Sequence, residues 1–252
     1  MTNQNIEGIF KYCDRWCERC TFTSRCAIYE DETNLSPEER DITNKVFWDR
    51  IGENLAKAQE LLMKAASEQG IDLTTITAET EDERARRTTL RTETRQHPLA
   101  VLSLEYSKIG RAWLTTQPGM LDRLETLKSE LILGVESEEG AKRETAVIRD
   151  SLAVIQWYLV FIHVKLTRAL TGKAKYDITD KDYGFPHDFD GSAKIACIAI
   201  DRSMNSWAAL FEILPEHEDH FYKVLSMLER IKTMTLEEFP GALSFTRPGF
   251  DA

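Results

Sequence analysis

The chain alternates apolar and polar positions at spacings of three and four, the period of an α-helix and not the period of two of a strand. Six stretches carry this pattern. The first opens at Ser36-Pro37-Glu38-Glu39, where Ser36 can cap, Pro37 fits the first turn and Glu39 can close a capping box. Phe47, Ile51, Leu55, Ala58, Leu62 and Ala65 then predict an apolar stripe running to about Gln69, with Gly70 as the stop. After Pro98, Leu99, Leu102, Tyr106, Ile109 and Trp113 form a second stripe that Pro118-Gly119 ends. Met120, Leu124, Leu127 and Leu131 form a third, ending near Gly134. Residues 143–171 form the most hydrophobic segment; the run 151–166 is interrupted only by Gln156, His163 and Lys165. It is read as a central buried helix, too short and too interrupted to span a membrane. The irregular stretch 173–191 follows. The next helix, 192–214, carries Ala193, Cys197, Ile200, Met204, Trp207, Phe211 and Leu214. A last helix is expected over 216–234, then an extended tail.

The expected fold is all-α: a bundle of five or six main helices over 35–238, an N-terminal cysteine-rich appendage over 1–34 and an extended tail over 239–252. At 252 residues the chain can bury a sizeable core, and 42% apolar with 29% charged residues is the composition of a folded protein. A net charge of −10 argues against nucleic acid or an anionic membrane as the main partner. The first residues lack a basic segment followed by an apolar one, so no secretory signal is read. The expected compartment is a reducing cytoplasm, where clustered cysteines bind metal more often than they pair. Residues 71–97 hold eight Thr and five Arg. Arg84, Arg86, Arg87, Arg91 and Arg95 are read as a solvated helix face beside Glu81, Asp82, Glu83 and Glu93, with a phosphate contact as the alternative.

The chemistry concentrates near the start. Cys13, Cys17, Cys20 and Cys26 lie within fourteen residues, spaced C-x3-C-x2-C-x5-C. Thiolates this close repel unless a cation joins them, and Lys11, Arg15, Arg19 and Arg25 surround them against Asp14 and Glu18. All four cysteines are expected to hold a metal centre. On an intact helix Cys13, Cys17 and Cys20 share a face but span about 10 Å along the axis. A single zinc needs its sulfurs about 4 Å apart. Either the turn is broken around Cys17–Cys20, or the centre is larger, as a [4Fe-4S] cluster is. That geometry and the local positive charge favour the cluster; structural zinc is the alternative.

The run Cys17-Glu-Arg-Cys20-Thr-Phe-Thr-Ser-Arg-Cys26 resembles the end of the [4Fe-4S] loop of endonuclease III-like DNA glycosylases. In that family six residues precede the second cysteine where three stand here. The resemblance covers fewer than twenty residues and implies a cluster type, not a glycosylase, since no glycine-containing hairpin accompanies it. Cys13-x3-Cys17-x2-Cys20 also looks like the radical SAM triplet. That family expects a barrel and an open iron, and here no strands are read and Cys26 can close the site.

Three further polar sets are candidates. Arg149, Gln156 and His163 recur every seven residues on the central helix, with Asp201 and Glu105 as partners, as a polar pocket or a satisfied buried network. Glu216, His217, Asp219 and His220 open the last helix and allow a second metal, against the plain reading of a helix dipole complement. His187, Asp188 and Asp190 are weaker, because Asp190 is a natural helix cap. Cys197 is read as a small buried residue. Three functions stay open: electron transfer through a [4Fe-4S] cluster with a redox partner, a scaffold with structural zinc that binds a partner protein, and an enzyme with a polar site near His163.

Overall fold

A computed structural model describes residues 5–70, 72, 80–179 and 187–251. Among these residues every regular element is a helix and there is no strand. The nine α-helices are α1 (Ala27–Thr33), α2 (Pro37–Arg40), α3 (Lys45–Glu68), α4 (Glu81–Gln96), α5 (Pro98–Thr116), α6 (Met120–Ile132), α7 (Glu138–Thr179), α8 (Asp188–Ile213) and α9 (Glu218–Glu238). The chain divides into two compact units. The first comprises Met1–Lys11 and Arg15–Thr88; the second comprises Tyr12–Asp14 and Thr89–Ala252. This division falls elsewhere than a boundary at residue 34. Three residues of the cysteine stretch count with the helices that come much later.

In the first unit, short 3-10 turns at Cys17–Arg19 and Thr23–Arg25 lead into α1. The Ile6 N–H donates to the Arg25 carbonyl at 3.0 Å and ties the N-terminal residues to the second turn. The capping box at Ser36 forms as expected, with both reciprocal bonds to Glu39. The helix it starts does not run to Gln69. It ends at Arg40, because the Asp41 carboxylate accepts from both the N–H and the hydroxyl of Thr43, a local bond that competes with the helix. Asn44 then caps α3 by accepting from the Val46 N–H. Gly70, with φ of 67°, supplies the expected stop. The apolar stripe of α3 is not a core: Leu55 and Leu62 are 67% and 59% exposed, and only Ala66 is buried on this helix. Periodicity set the stripe; it could not supply something to cover it.

The second unit is built on α7 and α8, with α5 packed on α7, α9 on both α8 and α5, and α6 on α7. Tyr106, Tyr158, Ile162, Leu166, Ile200, Trp207 and Phe221 are essentially inaccessible. Each large apolar side chain so buried contributes roughly 1.5–3 kcal/mol. Trp207 Nε1 donates to the Tyr106 hydroxyl at 3.0 Å, so two aromatic polar tips satisfy one another in the core. On α5, Leu99, Tyr106 and Trp113 are buried as expected, while Leu102 and Ile109 are half-buried. Ser103, Ser107 and Gly110 take their share of the contact face. A Cβ at Gly110 would collide with Leu159 Cδ1, so this glycine lets α5 lie close against α7.

α7 is longer than the pattern predicts. It starts at Glu138 and continues to Thr179, so the first part of the expected irregular stretch is helical. Residues 180–186 of that stretch lie outside the described residues. By length and composition α7 is apolar enough to cross a membrane, with mean hydropathy 1.4 over its best window, of which 39% is buried. Its Ile155, Tyr158, Ile162, Leu166 and Ala169 are nonetheless buried core residues. The tail is also not extended: it turns, and it buries Phe239, Ala242 and Phe245.

Candidate metal centre and a cationic groove

The cysteine stretch is not one helix. Cys17 opens a 3-10 turn, Cys20 leaves it in an extended conformation, and Cys26 caps α1, also extended. The broken turn at Cys17–Cys20 is therefore the alternative realised, and the helical objection to a single zinc lapses. The Phe22 N–H donates to Cys20 Sγ at 3.4 Å. Arg19 lies over the Trp16 ring at 3.9 Å, which fixes one cation of the basic surround. All four cysteines are half-buried thiols, whereas Cys197 is buried and its thiol is pushed up to about 11, first by burial. Among the described residues no group of three or more His, Cys, Asp and Glu side chains stands arranged to hold a metal ion.

Cys13 is held by its neighbours. Tyr12 donates to Asp188 Oδ1 at 2.9 Å and meets the Phe245 ring edge-on at 4.6 Å. Asp14 Oδ2 accepts from the Tyr158 hydroxyl at 2.6 Å and from Arg202 Nη1 at 2.5 Å. Arg202 also donates to the Tyr158 hydroxyl oxygen. Trp157 Nε1 donates to the Asp14 carbonyl at 3.0 Å. Burial, and then the bonds to Asp188 and Asp14, push the phenols of Tyr12 and Tyr158 up to about 12 each. Arg15 follows with φ of 60°, a left-handed conformation. Charge counting treats Asp14 as a weak opponent of the cations; its carboxylate is in fact engaged by α7 and α8. Nothing local in the sequence signals this, since its partners lie 144 and 188 residues away.

The other candidates separate. Arg149 and Gln156 are exposed, so the seven-residue polar stripe does not enter the core. Asp201 is half-exposed and paired with Lys232 at 2.6 Å, and Glu105 is exposed. The expected Gln156–His163–Asp201 pocket is not assembled: Gln156 and Asp201 are exposed, and Asp201 is taken by Lys232. His163 alone is half-buried: Ser103 Oγ lies 2.9 Å from its Nδ1, and burial lowers its pKa. On the last helix, His220 stacks on Trp113 at 5.7 Å and meets Trp207 edge-on, and burial lowers its pKa too. His217 and His220 each bury an Nε2 with no hydrogen-bond partner, while Glu216 and Asp219 are exposed. His220 is thus a half-buried ring stacked against the aromatic core. Asp190 does not cap α8: His187 stands at the N-cap position without a side-chain capping bond, and Asp190 is buried near Gly241, its carboxyl pushed up by burial.

His163 opens onto a groove of about 640 Å³. One row of α7, His163–Thr167–Thr171–Lys175, lines it at successive turns, with Arg168 beside the row. Arg95 from the end of α4 and Asp188 from the start of α8 complete its sides. Arg168 and Asp188 pair at 2.9 Å. This joins His163 to four other charged side chains, none of which was paired with it by sequence. The row of His, Thr, Thr and Lys at four-residue intervals is the signal that could have found it.

Compared with protein-family models, curated proteins and solved structures, the chain matches none.

Proposed function

We propose that this chain is a thiolate metal protein. Cys13, Cys17, Cys20 and Cys26 bind one [4Fe-4S] cluster, which exchanges single electrons with a partner protein in a reducing cytoplasm. The observation that carries this reading is the density and chemistry of the stretch. Four of five cysteines fall within fourteen residues among four cations, and a backbone N–H already faces Cys20 Sγ. Such bonds to sulfur lower the charge a cluster must carry and tune its potential. Thiolate sites commonly assemble with their metal, because ligand repulsion opposes convergence without it.

A structural zinc is the second reading, and the broken turn favours it. A C-x2-C pair across a tight turn is a common zinc half-site, since it brings two sulfurs to one ion. The chain would then be a scaffold for a protein partner rather than a carrier of electrons.

Anaerobic purification of the full chain, with iron, acid-labile sulfide and zinc measured per chain, tests both. Iron and sulfide in equal amounts, with visible absorption that bleaches reversibly on reduction, are expected. Stoichiometric zinc without iron replaces the first reading by the second. A metal-free chain that takes up neither iron with sulfide nor zinc overturns both. Cys20→Ser is expected to abolish loading, and Cys197→Ser to leave it unchanged.

A further inference from the structure

We propose that a second groove, between α6 and the start of α7, binds a medium-chain aliphatic carboxylate, with the alkyl chain along the leucines of α6 and the head group at Arg149. The inference is independent of the metal centre. The groove has a volume of about 830 Å³, within the range of small-molecule sites. α6 lines it with Leu124, Leu127, Leu131 and Ile132, and α7 faces them with Ala141 and Ala146. Large side chains on one helix meet small ones on the other, and the difference in size leaves the space open. Leu127 and Ala141 are buried, whereas Leu124 is 37% and Ile132 76% exposed. An ion pair between the two helices holds the groove in shape: Arg123 Nε and Nη2 donate to the two Glu144 carboxylate oxygens at 2.6 and 2.7 Å.

Charge and polarity decide what enters. Glu138 is the carboxylate of the lining, and it pairs with Lys142 at 3.1 Å, so these two cancel and neither is counted. Arg123 is likewise spent, on Glu144 and on Glu130 at 3.3 Å. Lys128 and Arg149 remain, and among the described residues neither has an ion-pair or hydrogen-bond partner. Thr145 is the one uncharged polar side chain among the described lining residues. A sugar or a nucleotide would leave most of its polar atoms unpaired here, whereas an alkyl chain has none to satisfy. The site is also polarised along its length. α6 ends at Ile132 just before α7 begins at Glu138, and Arg149 is the lining residue farthest along α7. The guanidinium therefore stands at the end away from the α6–α7 turn, and the row Leu124–Leu131, about 10 Å of helix, runs toward that turn. A molecule with one anionic end and an apolar body matches this arrangement, and a carboxylate suits the parallel N–H bonds of a guanidinium. Lys128, partway along the row, adds positive potential at the rim.

Calorimetric titration of the full chain with decanoate, decanol, decyltrimethylammonium and acetate, each below its micellar concentration, tests the proposal. Decanoate is expected to bind saturably, decanol at least tenfold more weakly, and the other two not at all. Arg149→Gln is expected to lose about tenfold in affinity, the worth of one charge-assisted hydrogen bond. Ala146→Trp places a large ring in the groove from an exposed position and should abolish binding while the helical circular dichroism is kept. Leu121→Ala, exposed on α6 outside the lining, should lose nothing. No saturable binding of decanoate, equal binding of decanol, or indifference to both groove substitutions overturns the proposal. So does a chain that sediments as a dimer which Ala146→Trp dissociates, since a second copy then fills the groove, and so does tighter binding there of a helical peptide of leucine, alanine and glutamate. Repeating the titration on Cys20→Ser separates its failure from that of the metal centre.

Discussion

Asp14 shows how much one carboxylate can hold. It accepts from a buried phenol and a guanidinium through its side chain, and from an indole through its carbonyl. Arg202 is half-exposed and can turn to water; the Tyr158 hydroxyl cannot. Asp14→Ala is therefore expected to cost about 1–3 kcal/mol in urea denaturation, more than Tyr158→Phe, which removes donor and need together. Protonation adds a second set of residue-scale effects. Burial raises the phenol pKa of Tyr12, Tyr106 and Tyr158 from 10 to about 12. The folded chain then holds protons that the unfolded chain releases, so stability present below pH 10 is lost as pH rises through about 12. Denaturation midpoints should fall steeply above pH about 10, and Tyr106→Phe should soften that fall. On the acid side His220 acts in the same direction as His163, burial lowering the pKa of each from 6.5. Its contribution is full above that value and is lost as the unfolded state takes up a proton below it. His220→Phe keeps a ring against Trp113, so it should flatten the stability change between pH about 7.5 and about 5.5.

At the scale of the element, two glycines in helices give opposite expectations. Gly110 sits where α5 meets α7, and an added methyl collides with Leu159 and stands 3.6 Å from Trp207. Overpacking there costs about 1–3 kcal/mol, against up to about 1 kcal/mol gained in helix propensity, so Gly110→Ala should destabilise. Gly52 on α3 has nothing within 4 Å of a built Cβ, and Gly52→Ala should stabilise by roughly 0.5–1 kcal/mol. Urea denaturation of the two variants checks both signs. The helices themselves were largely legible, because periodicity, the Ser36 capping box, Gly70 and Pro118-Gly119 are local signals. Their interruptions were less so. Asp41 and Asn44 break what reads as one helix by bonding their own backbone, and an apolar stripe with no cover looks the same in sequence as one in a core. The α7 row His163–Thr167–Thr171–Lys175 is wholly polar, so no apolar periodicity marks it, and it shares His163 with the seven-residue spacing of Arg149 and Gln156. On a straight helix a four-residue spacing drifts about 40° at each step and a seven-residue spacing about 20°, so periodicity alone points to the latter.

For the whole molecule, the all-helical class followed from pattern and composition, but the division of the chain did not. Tyr12–Asp14 counts with Thr89–Ala252, a pairing made by contacts far apart in sequence. A fragment starting at Thr89 would lose the ring of Tyr12 over Gly191 and the acceptor for Tyr158. It is expected to stay helical by circular dichroism and to melt several degrees below the full chain. Adding back a peptide of residues 5–16 should recover part of that loss, whereas the same peptide with Asp14→Ala should not. Trp157 gives this anchor an optical consequence. Its indole N–H ends on the Asp14 carbonyl, one residue from Cys13, and indole emission shifts with the polarity and hydrogen bonding around that group. The chain carries its own fluorophore beside the first proposed ligand. Any event that lifts or seats residue 14 should be readable as a change in tryptophan emission, with no label attached.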